Sequence, residues 1–308
     1  MSAEHQAGTS QGRRKGREPC AGVLELVLDS DGQPVFVTGG PPRTPFRGPG
    51  ASTWLNPAFA VHHARSWQSL LVLGAMLPLG AAAAPDSAPG ARMLDRYGDA
   101  MRGLAAAGLP FVAQVWGPMT LAAQQAGVDA YVSALAGSHD VFTLTAAGLD
   151  ATLASTEVAL ASRPTALWVA EPLAALADPD TLAHVWLPAM RSVMASARAA
   201  GTDIVVHVSG AAEHVLESVV RLGVAGLSVT AGTPLETVRE VLPEQIVVFG
   251  NLDSMRLLDQ DAETLAEAAR AMVREMRGRP FVLTPGSGLT PRVTVERLAA
   301  FVDAGVRG

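Results

Sequence analysis

Short apolar segments alternate with longer amphipathic segments along most of the chain, and this pattern predicts an α/β protein. Each apolar segment is rich in β-branched residues and too short for a helix, so it is predicted to be a buried parallel strand. The clearest example runs from Ile204 to Gly210 and ends in polar side chains. His207 and Ser209 are two residues apart, so both would point to the same side of this strand.

Eight predicted strands precede predicted helices, which favours a TIM (β/α)8 barrel in a single domain. They begin near Pro34, Ser69, Pro110, Ala166, Ile204, Gly226, Gln245 and Pro280. An open doubly wound sheet is the alternative, but no Gly-x-Gly-x-x-Gly motif follows the first strand. We expect residues 1–22, rich in Gly, Ser and Gln, to form a disordered tail, and residues 23–308 to form the barrel.

The amino-acid composition disfavours several classes of function. A net charge of -6 and 5% aromatic residues disfavour nucleic-acid binding. Cys20 is the only cysteine, so the chain has no internal disulfide and no zinc site with two cysteine ligands, which fits a reducing cytoplasm. The apolar segment from Ser69 to Ala84 is shorter than the ~20 residues of a spanning helix, so no membrane association is expected.

Polar residues at the carboxyl ends of the predicted strands are the candidate site, because TIM-barrel active sites lie at that end. They are Gln114, Trp116, Glu171, His207, Ser209, Ser228, Thr230, Asn251, Asp253 and Ser287. Glu171 and His207 directly end apolar strands, and a carboxylate and an imidazole there predict acid–base or metal chemistry. Asn251 and Asp253 could instead form a turn or cap the next helix.

Several motifs, in order from about Leu94 to the C-terminus, resemble the uroporphyrinogen decarboxylase superfamily. Within it, the chain is most similar to the cobamide-dependent methyltransferases that methylate a thiol such as coenzyme M. The motifs are Gly117-Pro118-Met119-Thr120-Leu121-Ala122, Glu171-Pro172, Leu187-Pro188, His207-Val208-Ser209-Gly210, Gly250-Asn251-Leu252-Asp253 and Pro285-Gly286-Ser287-Gly288. The resemblance implies a TIM barrel, in agreement with the strand count.

The resemblance also implies a zinc ion that activates the acceptor thiol, held by one histidine and two cysteines. Here both cysteine positions are serine, Ser209 and Ser287. His207 and Glu171 remain as candidate metal ligands, fewer than the usual three of a catalytic zinc site, so tight zinc binding is not expected. A cobamide, free or on a corrinoid protein, is the methyl donor that the resemblance implies.

The resulting hypothesis is a methyltransferase-like enzyme that works without a thiolate-held zinc. Its predicted catalytic residues are His207 as general base, Glu171 and Asp253. The predicted substrate-binding residues are Gln114, Trp116, Ser209, Asn251 and Ser287. One alternative is a porphyrinogen decarboxylase, although that family's Arg-Gln-x-Gly-Arg-Tyr motif is missing and Ala75 stands where its catalytic aspartate belongs. The other is a non-catalytic descendant that binds a tetrapyrrole or a partner protein.

Overall fold

The computed structural model describes residues 82–106, 111–137, 140–286 and 293–307, and the backbone of five strands between residues 24 and 76. The strands are β1 Leu24–Leu28, β2 Pro34–Thr38, β3 Ser52–Leu55, β4 Ala60–His62, β5 Leu73–Met76, β6 Phe111–Trp116, β7 Ala166–Ala170, β8 Asp203–His207, β9 Gly226–Ser228, β10 Val247–Asn251 and β11 Phe281–Thr284. Apart from β1 and β2, they all belong to one sheet.

Helices follow each strand from β5 onward. They are α1 Ala88–Ala106, α2 Pro118–Ala126, α3 Val128–Leu135, α4 Asp140–Ala161, α5 Leu187–Ala199, α6 Leu216–Leu222, α7 Leu235–Val241, α8 Arg256–Asp259, α9 Ala262–Glu275 and α10 Val295–Arg307. A 3-10 helix, Pro172–Leu176, and a π-helix, Leu182–Trp186, lie between β7 and α5. No helix within the described ranges has the length and apolarity needed to cross a bilayer.

The main sheet has the strand order of a TIM barrel. Strands β5 to β11 are parallel and stand side by side in chain order. β3 and β4 flank this array and run antiparallel to β5 and β11. Parallel strands in chain order, each followed by helix, form a single α/β domain of the TIM-barrel class, which confirms the predicted fold class.

One of the eight predicted barrel strands lies elsewhere. β2, predicted as the first strand of the barrel, pairs with β1 in a separate antiparallel two-stranded sheet. The sequence between the two strands contains the turn signal Asp29-Ser30-Asp31-Gly32, which favours a hairpin over a crossover to a parallel neighbour. The other seven predicted strands all belong to the main sheet.

The register of the sheet separates an apolar face from a mixed face. One cross-strand row consists of Val115, Val169, Val206, Leu227, Val248 and Phe281, all of them buried. Trp168 and Phe249, each one residue away from this row, contact each other although two strands lie between them, so they lie inside the barrel. Because successive residues of a strand point to opposite faces, the row itself lies on the face that the helices cover. The neighbouring rows therefore face the barrel interior.

Helices α2 and α4 cross at unusually close range. At Gly148 of α4, an added Cβ would overlap the carbonyl oxygen of Pro118 and lie 2.6 Å from the backbone nitrogen of Ala122. Backbone atoms cannot yield as a flexible side chain can, so glycine is required here for space. This contact fixes α2 against the barrel, and α2 begins beside the candidate site.

We expect Gly148→Ala to destabilise the protein by about 2 kcal/mol, because the overlap outweighs the helix propensity gained from alanine. Urea denaturation of the variant and the wild type measures this difference. The matched control is Ala147→Gly at the exposed neighbouring position of α4, which should cost only about 1 kcal/mol through helix propensity. A stabilising effect of Gly148→Ala would contradict the close packing of α2 on α4.

Candidate active site

The barrel interior is lined by two cross-strand rows and the residues just beyond them. We call this set the interior wall; it comprises Gln114, Trp168, Val205, Gly226 and Val247 in one row, Trp116, Ala170, His207, Ser228, Phe249 and Val282 in the next, and Asn251 and Thr284 at the carboxyl end. Contacts across the barrel support this assignment. The Trp168 ring contacts Phe249 edge-on, with 5.2 Å between ring centroids, although two strands separate them.

His207 is held on both of its ring nitrogens. Nδ1 lies 2.9 Å from Ser228 Oγ, and Nε2 lies 3.1 Å from Ser209 Oγ. The ring also stacks on Trp168 at a centroid distance of 6.1 Å. Burial lowers the pKa of His207 to about 4, so the imidazole is neutral at physiological pH. A neutral imidazole has one donor and one acceptor nitrogen, so the hydroxyls of Ser209 and Ser228 can satisfy both.

Glu171 lies on the other face of the sheet. It follows Ala170, which is in register with His207, so its side chain points toward the helices rather than into the barrel. Its fully buried carboxylate accepts hydrogen bonds from the backbone nitrogens of Met119 and Thr120 at 3.0 and 2.8 Å. The Thr120 hydroxyl donates a third at 2.5 Å. Glu171 therefore caps the amino terminus of α2.

Two of the sequence motifs meet at this cap. Gly117 leaves room for the Glu171 side chain, because an added Cβ would overlap the carboxylate. Pro118 occupies the first helical turn, where no backbone donor is needed. Thus the Gly-Pro-Met-Thr segment and Glu171 form one structural unit, joined across about fifty residues of chain by hydrogen bonds.

The pKa of Glu171 reflects a balance between burial and hydrogen bonding. Burial raises it to about 7, and hydrogen bonds from Thr120 and Met119 oppose the rise. The indole of Trp186 also lies near the carboxylate and favours its charged form, although its N–H falls outside full hydrogen-bond geometry. Glu171 is thus a buried carboxyl group that titrates near neutral pH, away from the barrel interior.

The structure does not bring the side chains of Glu171 and His207 together. Their link is a backbone hydrogen bond of 2.8 Å from the Glu171 nitrogen to the His207 carbonyl oxygen. The carboxylate oxygens of Glu171 are engaged by α2, and the described residues include no group of three His, Cys, Asp or Glu side chains suited to a metal. With imidazole and hydroxyls as the remaining donors, the described residues do not fit zinc.

Asn251 and Asp253 lie at and beyond the end of β10. The Asn251 side-chain amide donates to the Thr233 carbonyl oxygen at 2.8 Å, so this residue ties two strand-end loops together. Asp253 is exposed and accepts a hydrogen bond from the Met255 nitrogen at 2.9 Å, the turn-forming role considered from the sequence. Both residues also line an open cavity of about 790 Å³ along α9. A catalytic role for Asp253 remains a prediction.

The other predicted substrate-binding residues fall into two groups. Ser209 contacts His207, and Gln114 and Trp116 of β6 lie on the same interior side of the sheet, with β7 between them and His207. Gln114 is buried, and its backbone carbonyl oxygen accepts a hydrogen bond from the Tyr97 hydroxyl of α1 at 3.0 Å. Ser287 lies outside the described residues. The structure therefore supports one cluster around His207, and its substrate-binding role remains a prediction.

Two residues of this cluster, Trp168 and Phe249, were not among the candidate residues from the sequence, and Ser228 was a candidate without an assigned role. Trp168 and Phe249 lie inside apolar strands and read as core residues there, while Ser228 was noted only as a strand-end residue. Period-2 alternation would have found Trp168 and Phe249, since each lies two residues before an interior position, Ala170 or Asn251. Their contacts with His207 and with each other depend on strand register, which the sequence does not specify.

Comparisons with known proteins place this architecture in a family. Uroporphyrinogen decarboxylases of Sulfurovum sp. and Prochlorococcus marinus are 35% and 30% identical to the chain over 72 and 104 residues, or 23% and 34% of this chain. The aligned segments span only 20% and 30% of those relatives. A methyltransferase structure from Methanosarcina mazei matches with a TM-score of 0.60 and 20% identity, over 70% of this chain and 66% of that chain, and shows the shared fold.

The family assignment rests on a longer match. The model of the uroporphyrinogen decarboxylase (URO-D) family covers residues 82–307, which include every helix and strand from α1 to α10 and all the described site residues. This match extends over well more than half of the chain, and it contains the motifs that surround His207 and Glu171. The protein belongs to the uroporphyrinogen decarboxylase family.

Proposed function

We propose that this protein is a methyltransferase-like enzyme that transfers a methyl group from a cobamide to a thiol, with His207 in place of a thiolate-held zinc. The observation that carries the proposal is the neutral imidazole of His207, fixed in the barrel interior between Ser209 and Ser228. Family membership and the shared fold with a methyltransferase support the reaction class.

His207 would receive the proton of the acceptor. If Nδ1 donates to Ser228 Oγ, Nε2 is the acceptor nitrogen and now faces the Ser209 hydroxyl. An entering thiol would replace that hydroxyl and pass its proton to Nε2 as its sulfur takes the methyl group. Ser228 is then a positioning residue that sets the tautomer of His207, in the way that a base is oriented by a third group.

The low basicity of His207 favours a thiol over an alcohol as acceptor. With the pKa of His207 at about 4, proton transfer from a thiol of pKa about 8.5 is uphill by roughly 6 kcal/mol. Transfer from an alcohol with a pKa near that of water would be uphill by roughly 16 kcal/mol. The second cost alone corresponds to a rate of about 10 s⁻¹ before any barrier to methyl transfer is added, so a thiol is favoured over an alcohol.

The choice of a cobamide as methyl donor rests on the family relationship. A bound cobamide would supply the methyl group in a form open to attack by sulfur, and it would arrive free or on a corrinoid protein. The described residues contain no group specific for a corrinoid.

Methyl transfer should be independent of zinc. We expect purified protein supplied with methylcobalamin and a simple thiol to form the methyl thioether at the same rate before and after treatment with a chelator. Loss of the methylcobalamin spectrum and mass spectrometry of the thioether measure the reaction. Activity that disappears on chelation and returns with zinc would contradict the role given to His207, and absence of methyl transfer under all conditions would contradict the function.

A decarboxylase acting on a tetrapyrrole is the second candidate, because the curated relatives that match the chain are uroporphyrinogen decarboxylases. Two observations oppose it. In the sequence, Ala75 stands where the family's catalytic aspartate is expected. In the structure, the described interior wall carries no cationic side chain to bind substrate carboxylates. Release of carbon dioxide from uroporphyrinogen by the same preparation would favour this candidate over the methyltransferase.

A further inference from the structure

Three of the sequence motifs meet in a buried polar cluster that the proposed reaction does not use. The cluster consists of Glu171 after β7, Thr120 in the first turn of α2, and Trp186 at the end of the π-helix. Glu171 and Trp186 are fully buried, and Thr120 is buried as well. The Glu171 carboxyl group faces this cluster and not the barrel interior, so its burial calls for a role apart from His207.

The groups around the Glu171 carboxyl are nearly all hydrogen-bond donors. The backbone nitrogens of Met119 and Thr120 and the Thr120 hydroxyl bind its two oxygens, and the Trp186 indole lies near them as a further donor. An ionised carboxylate has about four lone-pair sites and no proton, so it can accept hydrogen bonds from all of these donors. A neutral carboxyl group must also donate its own proton, and among these groups only the Thr120 hydroxyl can accept it.

The indole of Trp186 is the donor that the present arrangement leaves over. Its Nε1 is buried, and within the part of the chain that the structure describes it has no hydrogen-bond partner of full geometry. A buried N–H without an acceptor is destabilising, and the nearby carboxyl group is the acceptor within reach. The structure therefore shows the bonds from α2 formed and the indole beside the carboxyl group, the arrangement expected when Glu171 is neutral.

The π-helix places Trp186 at this position. Pro188, two residues later, has no backbone N–H, and in a regular α-helix its ring would clash with the carbonyl group of His184. The turn is widened here, and the Leu187 nitrogen bonds to the carbonyl oxygen of Leu182, five residues back. Such π-turns within helices are rare and occur frequently at functional sites. The Leu187-Pro188 motif thus brings the indole to the carboxyl group that the other two motifs hold.

We infer that Glu171, Thr120 and Trp186 form a proton-dependent switch between α2 and the π-helix. When Glu171 loses its proton, the Trp186 indole N–H donates to the carboxylate and joins the π-helix to the cap of α2. When Glu171 is neutral, the indole is released. The switch operates around neutral pH, because burial raises the pKa of Glu171 to about 7.

Other charged groups in this region do not face the carboxyl group. Tyr131 of α3 is the titratable neighbour; its hydroxyl lies 2.7 Å from Thr145 Oγ1, and burial raises its pKa, so it stays neutral. The His207 ring belongs to the opposite face of the sheet. The remaining charged or titratable side chains on α3, α4, the π-helix and the first turns of α5 are exposed: Asp129, Asp140, Asp150, Glu157, His184 and Arg191. Ionisation of Glu171 itself therefore sets the state of the switch.

The indole N–H signal of Trp186 in NMR spectra tests the switch directly. The full chain with ¹⁵N-labelled tryptophan has five indole groups, and the signal that is lost in Trp186→Phe identifies Trp186. We expect this signal to move downfield in one step as the pH rises, with a midpoint of about 7, because the N–H gains a charged acceptor. Glu171→Gln should abolish the step. A signal that does not change with pH, or a step that persists in Glu171→Gln, would overturn the inference.

Two further variants make the test specific to this cluster. Trp186→Phe removes a donor from the ionised form only, so the pKa of Glu171 should rise, and the pH-dependent fall in unfolding free energy should extend to higher pH than in the wild type. Tyr131→Phe is the matched control on α3 and should leave the Trp186 step in place. An unchanged stability profile in Trp186→Phe would contradict the bond between the indole and the carboxylate. These measurements need neither methyl donor nor thiol, so their outcome is independent of the proposed function.

Discussion

Replacing His207 with glutamine should lower the rate of methyl transfer by roughly 10²- to 10⁴-fold, the usual contribution of a general base. Glutamine can still form hydrogen bonds near Ser209 and Ser228, so the barrel should keep its structure, but it cannot accept the proton of the thiol. The rate of methyl thioether formation with methylcobalamin, compared between variant and wild type, measures the loss. Residual activity within tenfold of wild type would exclude His207 as the base.

Two serine variants separate the roles of the groups that hold His207. Ser228→Ala removes the partner of Nδ1 and should change kcat more than KM, because the imidazole can then adopt either tautomer; Ser228→Thr should restore the rate by returning the hydroxyl. Ser209→Ala removes the hydroxyl that the thiol is proposed to replace and should have a much smaller effect. Equal losses in both alanine variants would contradict the assigned direction of proton transfer.

The pH dependence of the same reaction follows from the lowered pKa. His207 is the proton acceptor only when neutral, and with a pKa of about 4 it loses this form only as the pH falls through about 4. The rate should therefore show no inflection near 6.5, the ordinary value for histidine. An inflection there that disappears in His207→Gln would mean that the imidazole is more solvated than its surroundings indicate.

The second large effect concerns Glu171 and stability. Glu171→Ala should destabilise the protein by about 3 kcal/mol or more, because it leaves the first backbone N–H groups of α2 buried without an acceptor and opens a cavity. Glu171→Gln should destabilise the protein less, since the side-chain carbonyl oxygen of glutamine can still accept some of these hydrogen bonds. Urea denaturation at neutral pH measures the free energy of unfolding of the wild type and both variants, and hence their order of stability.

The same carboxyl group should make stability depend on pH. Its folded pKa of about 7 lies above the ordinary value of 4.5, so the folded protein binds more protons than the unfolded chain between these values. The free energy of unfolding should then fall as the pH rises from about 4.5 to about 7, by roughly 3 kcal/mol in total from this group. Glu171→Gln should remove this component, which appears as the difference between the two pH profiles.

A second helix-capping acid provides the control. Asp261 caps α9 by accepting a hydrogen bond from the Thr264 nitrogen at 2.8 Å, but it is exposed. Its pKa is lowered by that hydrogen bond, so its contribution is present above the ordinary pKa and is lost as the pH falls. Asp261→Asn should therefore leave the profile between pH 5 and 7 unchanged. A wild-type profile identical to that of Glu171→Gln would show that Glu171 is ionised throughout this range.

The hydrophobic pattern of the sequence by itself determined most of the barrel. Buried parallel strands are almost wholly apolar, so β6 to β11 stand out between amphipathic helices, and the motifs around Glu171 and His207 indicated the family. The pattern failed at β2, because a short apolar strand can enter either a barrel or a local hairpin. The outcome depends on the strand with which β2 pairs.

Only the tertiary structure decided which strand-end residues share a site. Glu171 and His207 looked equivalent in sequence, as polar residues ending apolar strands, but register puts their side chains on opposite faces of the sheet. Because the side-chain period of a strand is two, a single-residue offset moved Glu171 from the barrel interior to the cap of α2. The same register brought Trp168 and Ser228 to His207 and Phe249 to Trp168, since cross-strand neighbours are set by pairing and cannot be read from one strand alone.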